Sequence, residues 1–136
     1  MIRLASLLDL EQIVDLIDSV PGMRQDYWRE GALEQAIDMS DGLALVWEEE
    51  DEILGFICAH DFGFRGYISI LVVAENARGK GVGTQLVKHV EDELSARGCS
   101  VVISDVMKNA ENFFRYLNYK EPESILLYKK LMSPRF

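Results

Sequence analysis

Residues 78–84 read Arg78, Gly79, Lys80, Gly81, Val82, Gly83, Thr84, with glycine at every second position after the arginine and a lysine between two of the glycines. Glycines spaced this way let a backbone approach a bulky anion with no Cβ in between, while the two cations add charge from the side. Upstream, the run Tyr-Ile-Ser-Ile-Leu-Val-Val at 67–73 is rich in β-branched residues and too short for a helix, so it reads as a strand buried on both faces. Downstream, Gly83, Leu86, Val87, Val90 and Leu94 recur at helical spacing, with Lys88, Glu91, Asp92 and Ser95 on the opposite side. A strand, a glycine loop and a helix therefore follow one another. The first turn of a helix carries N–H groups with no partner, backed by about half a unit of positive charge, so the join has the chemistry of a pyrophosphate cradle. A plain glycine turn stays open as the other reading. The dinucleotide pattern G-x-G-x-x-G fails because Thr84 stands at its last glycine, and G-x-x-x-x-G-K-[ST] is absent.

The elements that must hold this loop follow from the rest of the chain. Ile2 and Leu4 suggest a first strand, and Asp9 with Gln12 three residues on has the spacing of a capping box for a helix that Pro21 and Gly22 end near Val20. A second helix is predicted from about Trp28 to Met39, with Met23, Tyr27 and Trp28 as pocket candidates or as core. Residues 43–47 and 53–60 read as two strands joined by the five acids 48–52, and mutual repulsion there favours a solvated hairpin tip over a metal site. Arg97 and Gly98 mark the end of the central helix, and residues 101–106 form a further strand parallel to the one before the loop. A helix over 109–118 and a last strand over 125–132 complete the series. The fold class is α/β (α+β), a mixed sheet in the order β-α-α-β-β-β-α-β-α-β, expected to form one domain over residues 1–136.

Arg78, Gly81 and Gly83 occupy the first, fourth and sixth positions of a Q/R-x-x-G-x-G/A loop, and in this the chain resembles the GNAT N-acetyltransferase superfamily. The element order suits the same layout. The resemblance implies a loop, Arg78, Gly79, Lys80, Gly81, Val82, Gly83 and Thr84, that holds the pyrophosphate of acetyl-coenzyme A as co-substrate. It also implies that the strand end at Leu71, Val72 and Val73 splays from the next strand to admit the thioester, with the Val73 backbone N–H on the reacting carbonyl. Asn109 and Phe114 join the cofactor-binding set. The family pattern A-x-x-[LF]-Y-x-x-x-G-[FY], counted from Ala110, sets Phe114 where a proton-donating tyrosine belongs and Asn118 where a glycine belongs. Tyr116 is the candidate stand-in, although two residues along a helix turn it about 200° away.

A general base is not evident either. The glutamates used by relatives fall at Ser69 or Ile70 and at Val102. Asp61, Glu75 and Asp105 lie near strand ends as possible amine-binding or proton-relaying acids, Asp105 being the one retained as a catalytic candidate, and His60 and His89 are alternatives by intrinsic pKa. With no tuned base, the sequence predicts rates toward an alkylamine that climb with pH and reach no plateau near neutrality.

Composition sets the outer bounds. The chain has 136 residues, 49% hydrophobic and 27% charged, enough for one substantial core. Its net charge of −9 disfavours nucleic acid and anionic membranes and favours a cationic acceptor, a small-molecule or peptide amine. Cys58 and Cys99 are far apart, with no C-x-x-C and no metal-ligand spacing, and read as free thiols. No apolar run approaches a membrane span and the N-terminus lacks a basic-then-apolar leader, so a cytoplasmic monomer or homodimer is expected.

Overall fold

The computed structural model describes residues 1–132. Strands β1 (Ile2–Leu4), β2 (Ala44–Glu49), β3 (Glu52–Asp61), β4 (Gly66–Val73) and β5 (Val102–Ile103) form one sheet in sequence order, antiparallel up to β4 and parallel between β4 and β5. The crossover from β4 to β5 is helix α3 (Val82–Ala96), as parallel neighbours require a connection of this length. Helices α1 (Leu10–Asp18) and α2 (Ala32–Asp38) cover one face of the sheet, and α3 with α4 (Glu111–Tyr116) covers the other.

Alternation along β3 divides its side chains between the two cores. Phe56 and Cys58 pack with Ile13, Ile17 and Leu33 on the α1/α2 face, whereas Ile57 and Ala59 pack with Leu86, Val87, Val90 and Leu94 on the α3 face. Two irregularities break the period, one opposite Trp47 and Glu48 that leaves Leu54 extra in β3, and one in β4. The β3–β4 register passes from Cys58 opposite Ile70 to Ala59 opposite Ile68, which leaves Ser69 as an unpaired extra residue. Ile70 therefore belongs to the α1/α2 core and Ile68, two residues away, to the α3 core.

Helix α3 lies close on the sheet at both ends because β3 and β4 present glycine beneath it. A Cβ on Gly55 would stand 2.8 Å from Val82 Cγ1 and one on Gly66 would stand 2.7 Å from Leu94 Cδ1. The apolar residues read from its spacing, Gly83, Leu86, Val87, Val90 and Leu94, are all buried.

Several boundaries differ from the sequence reading. Ser6 caps the first turn, with Asp9 closing the capping box, while the Gln12 side chain accepts from the Ile53 N–H at 3.0 Å and ties α1 to the hairpin. Asp9 is occupied because Arg3 forks onto both its oxygens at 2.8 Å and onto Glu48 at 3.1 Å. Helix α2 begins at Ala32, after Gly31 turns the chain with φ +78°, and Trp28 lies ahead of it under the Arg24 guanidinium. The acidic connection is a tight turn with Glu50 and Asp51 at φ +50° and +65°, the signs of a type I′ hairpin, and both are exposed. β5 pairs over two residues rather than six. The expected last strand is not formed, since the described part of 125–132 has no sheet partner. Asn118 does take the left-handed conformation, φ +72°, where a glycine would otherwise end α4.

The Arg3 fork sets an acid sensitivity. Hydrogen bonds from Arg3 hold the Asp9 carboxyl below its ordinary value, against the opposing effect of burial. A carboxyl depressed in the folded state contributes stability above the ordinary carboxylate range and loses it as pH falls through the folded value. Asp9→Asn is expected to cost about 1.5–3 kcal/mol at pH 7 in urea unfolding, the range of hydrogen bonds to charged groups, with the gap closing as the wild-type carboxyl protonates.

Candidate active site

The parallel ladder between β4 and β5 contains only Gly66 with Val102 and Tyr67 with Ile103. The Ser104 hydroxyl donates to the Ile68 carbonyl at 3.0 Å as a last stitch, and beyond it the two strands part. A cavity of about 500 Å³ fills the gap, walled by Ser69, Ile70, Leu71, Val72 and Val73 on one side and by Ser104, Asp105, Val106 and Met107 on the other. The splay that the resemblance implied is thus a feature of this chain.

The backbone direction along the cavity wall follows from one hydrogen bond. The Ala74 N–H donates to the Leu54 carbonyl at 2.8 Å, so Ala74 and, by antiparallel alternation, Val72 face β3. Leu71 and Val73 then turn their N–H and C=O groups toward the cavity. Arg78 Nε donates to the Val73 carbonyl at 3.3 Å, which folds the start of the glycine loop back onto the strand end.

Gly79, Gly81, Val82, Gly83 and Thr84 line the cavity beside Arg78, Asn109, Phe113 and Phe114. Gly79 and Gly81 have φ of +76° and +82°, and Gly81 is the N-cap of α3. The first turn of α3 holds no acidic residue, so its positive end is not neutralised from within. The loop and the N-terminus of α3 thus border the cavity together with the Arg78 cation, an arrangement suited to a diphosphate. Lys80 is exposed and does not line the cavity.

Phe114 is buried and contacts Phe113 and Tyr119 edge to face, each at 5.2 Å between ring centres. Tyr116 is 84% exposed and is not among the residues around the cavity, so the structure does not bring this candidate to the site. The reason is the helical offset from Phe114. The Tyr119 hydroxyl is engaged with Glu91 at 2.7 Å. Asp105 lies at the cavity and accepts from the Tyr67 hydroxyl at 2.7 Å, and burial together with Asp105 raises the Tyr67 phenol well above its usual range. Of the early candidates, Met23 reaches the cavity with Val20, whereas Tyr27 is exposed. Asp61 binds the Gly63 N–H in its own loop and Glu75 is exposed.

The structure gives His60, an alternative base by its intrinsic pKa, a polar partner on the cavity wall. His60 Nε2 lies 2.8 Å from Ser69 Oγ, which also reaches the Cys58 carbonyl at 3.1 Å, and Ser69 lines the cavity. Burial lowers the His60 pKa, with the Met39 backbone opposing. The Ser69 hydroxyl has one proton to give, either to the Cys58 carbonyl or to His60 Nε2 in the tautomer that carries its proton on Nδ1. The sequence signal was a lone serine in an apolar strand. What it could not supply was the bulge at Ser69 that sets the serine between His60 and the cavity.

A parallel splay beside a glycine loop at a helix N-terminus is the architecture that the comparisons place among acetyltransferases. The model of the acetyltransferase (GNAT) family matches residues 7–119, and the chain belongs to that family. An acetyltransferase of Pectobacterium atrosepticum is 28% identical over 98% of this chain and 97% of its own. Among solved structures, a transcriptional regulator from Bacillus halodurans aligns with TM-score 0.78 at 22% identity, over 96% of this chain and 99% of that one. The N-acetylglutamate synthase of Neisseria gonorrhoeae, solved with coenzyme A and N-acetyl-glutamate, aligns with TM-score 0.72 at 22% identity, over 86% of this chain and 27% of that one. No helix among the described residues is long and apolar enough to cross a membrane.

Proposed function

We propose that this protein transfers the acetyl group of acetyl-coenzyme A to a primary amine of a small molecule or peptide. The observation that carries the reading is the opening between β4 and β5 directly above the α3 cradle, which suits a diphosphate at the loop and a thioester between the strands. In this reading Arg78 and the N–H groups from Gly79 to Thr84 bind the diphosphate, Asn109 and Phe114 border the pantetheine arm, and Lys80 adds charge from outside. The Val73 N–H donates to the thioester carbonyl as it gains negative charge, with Leu71 and Val72 shaping the wall.

An alkylamine must lose a proton before it attacks. Ser69 and His60 offer the route: the amine proton passes to Ser69 Oγ as the serine proton passes to His60 Nε2. Asp105, held by Tyr67, supplies a negative charge at the cavity that favours a cationic acceptor. No tyrosine is among the described residues that line the cavity, so in this reading the thiolate takes its proton from solvent.

A non-catalytic acyl-coenzyme A sensor is the second reading, favoured by Phe114 at the family's tyrosine position. Incubation with acetyl-coenzyme A and a panel of amines, read as free thiol release, tests between them. Thiol release that depends on a cationic amine is expected. Tight coenzyme A binding by calorimetry with no release from any amine would favour the sensor, and no binding at all would remove both.

A further inference from the structure

The β3–β4 hairpin carries a row of aromatic rings whose planes are nearly parallel. His60 and Tyr67 face each other across the ladder with ring centres 6.2 Å apart. Phe62 stacks on both, at 6.1 Å from His60 and 6.2 Å from Tyr67, with 8° and 21° between the planes. Phe64 extends the row from Phe62 at 6.4 Å. Burial does not account for the outer rings, since Phe62 is 52% and Phe64 78% exposed. Large apolar side chains exposed together and held in one orientation are the kind of surface that marks a binding site.

Two hydrogen bonds join the row to the cavity between β4 and β5. Ser69 and Asp105 stand on opposite walls of that cavity, where the His60 ring meets the first at 2.8 Å and the Tyr67 hydroxyl donates to the second at 2.7 Å. Phe62 stacks on both of the rings that make these bonds. The row also arrives from the side away from the glycine loop. A Cβ on Gly66 would point into Leu94 of α3, so alternation turns Tyr67 to the α1/α2 face, and His60 is held by the Met39 backbone at the end of α2. A second substrate can therefore reach Ser69 along the rings without crossing the loop.

The chemistry of the row selects its occupant. Ring faces attract other rings and cations, and Asp105 adds a negative charge at the inner end, in a chain of net charge −9. A polyamine or an amino sugar would satisfy the acid and leave the rings unused. Arg65 already lies over the Phe64 ring at 5.4 Å, which leaves the inner rings, Phe62 and Tyr67, to a ligand. From the Tyr67 ring, Asp105 is reached through one phenol oxygen and one hydrogen bond of 2.7 Å, a span that a chain of about two or three carbons covers at ~1.5 Å per bond. We propose that the acceptor is an arylalkylamine, a primary amine on a short chain from an aromatic ring, with its ring against Phe62 and Tyr67 and its amine beside Asp105. This rests on the amine acetyl transfer proposed above and names the class of amine.

Phenethylamine, butylamine and spermidine are compared by thiol release and, independently of turnover, by calorimetric titration of the coenzyme A-bound protein. After correction for the neutral fraction of each amine, kcat/KM for phenethylamine should exceed that for butylamine by about 10-fold or more, with the affinities in the same order. Phe62 is exposed, so Phe62→Ala leaves the core intact by circular dichroism and should bring phenethylamine and butylamine level. Equal rates and affinities for the two amines in the wild type overturn the proposal even if thiol is released. So does a preference that Phe62→Ala leaves unchanged, or a peptide amine without an aromatic side chain that outpaces phenethylamine. No thiol release from any amine, with the binding preference present and lost in Phe62→Ala, would remove acetyl transfer while upholding the arylalkylamine as the ligand of this site.

Discussion

Replacing Gly81 with valine is expected to weaken coenzyme A binding by about 100-fold or more while the fold survives. Gly81 sits at φ +82° as the N-cap of α3, a conformation that costs an ordinary L-residue about 1–2 kcal/mol and a β-branched one more. A Cβ there meets nothing within 4 Å, so the interior loses no packing and the strain stays in the loop. The loop relieves it by turning its N–H groups, and each charge-assisted hydrogen bond lost to a phosphate is worth about 1.5–3 kcal/mol. Two such losses amount to at least about 100-fold in affinity. Calorimetric titration with coenzyme A, alongside circular dichroism, reads the effect. A folded variant that binds as tightly as the parent removes the loop from the site.

Ser69→Ala is expected to lower kcat/KM at pH 7 by about 100-fold toward an alkylamine acceptor, the lower end of what general-base assistance contributes. His60→Gln should do the same. The two also share a signature in pH. His60 has a folded pKa below its ordinary value, chiefly through burial, so the ring is neutral at pH 7 and able to accept a proton. The groups facing it are Ser69, the Cys58 thiol at 3.9 Å, whose pKa burial pushes up to about 11, and the Tyr67 ring, which is itself paired to Asp105. None of them titrates near neutrality in competition with it. With this base in place, kcat/KM rises as His60 deprotonates and then holds level up to the acceptor's own pKa. Without it the rate follows the neutral amine alone and climbs about tenfold per pH unit toward ~10.4. The wild type should show the plateau and both variants the slope. A wild type that shows only the slope returns the chemistry to solvent, as the strand sequences by themselves predict.

That difference illustrates what a one-dimensional reading reaches. The join of strand, glycine loop and helix was legible because its physics is local: glycine spacing and the start of an amphipathic helix lie within a few residues of one another. The buried face of α3 was legible from its helical spacing, whereas the division of β3 between two cores was not, because residues 53–59 form a nearly continuous apolar run. Ser69 was not, because its role depends on a register slip that puts an odd residue into β4 opposite Cys58, and periodicity assumes no slip. The Ser6 cap was missed for a similar reason. Two overlapping capping patterns compete there, and Arg3, brought alongside by β1, draws Asp9 away from the second. The segment 125–132 has the composition of a strand, yet composition cannot name the partner edge.

The close seating of α3 on Gly55 and Gly66 makes the helix a beam resting on two bearings, with the glycine loop at its leading end. The bearings touch near Val82 and Leu94, about 18 Å apart at 1.5 Å per residue. A side chain inserted under either one lifts that end and tilts the axis, and the tip swings with it. The direction of the loop is thereby geared to the thickness of two backbone positions, and the more distant of them, Gly66, lies at the far end of the helix from the loop it aims.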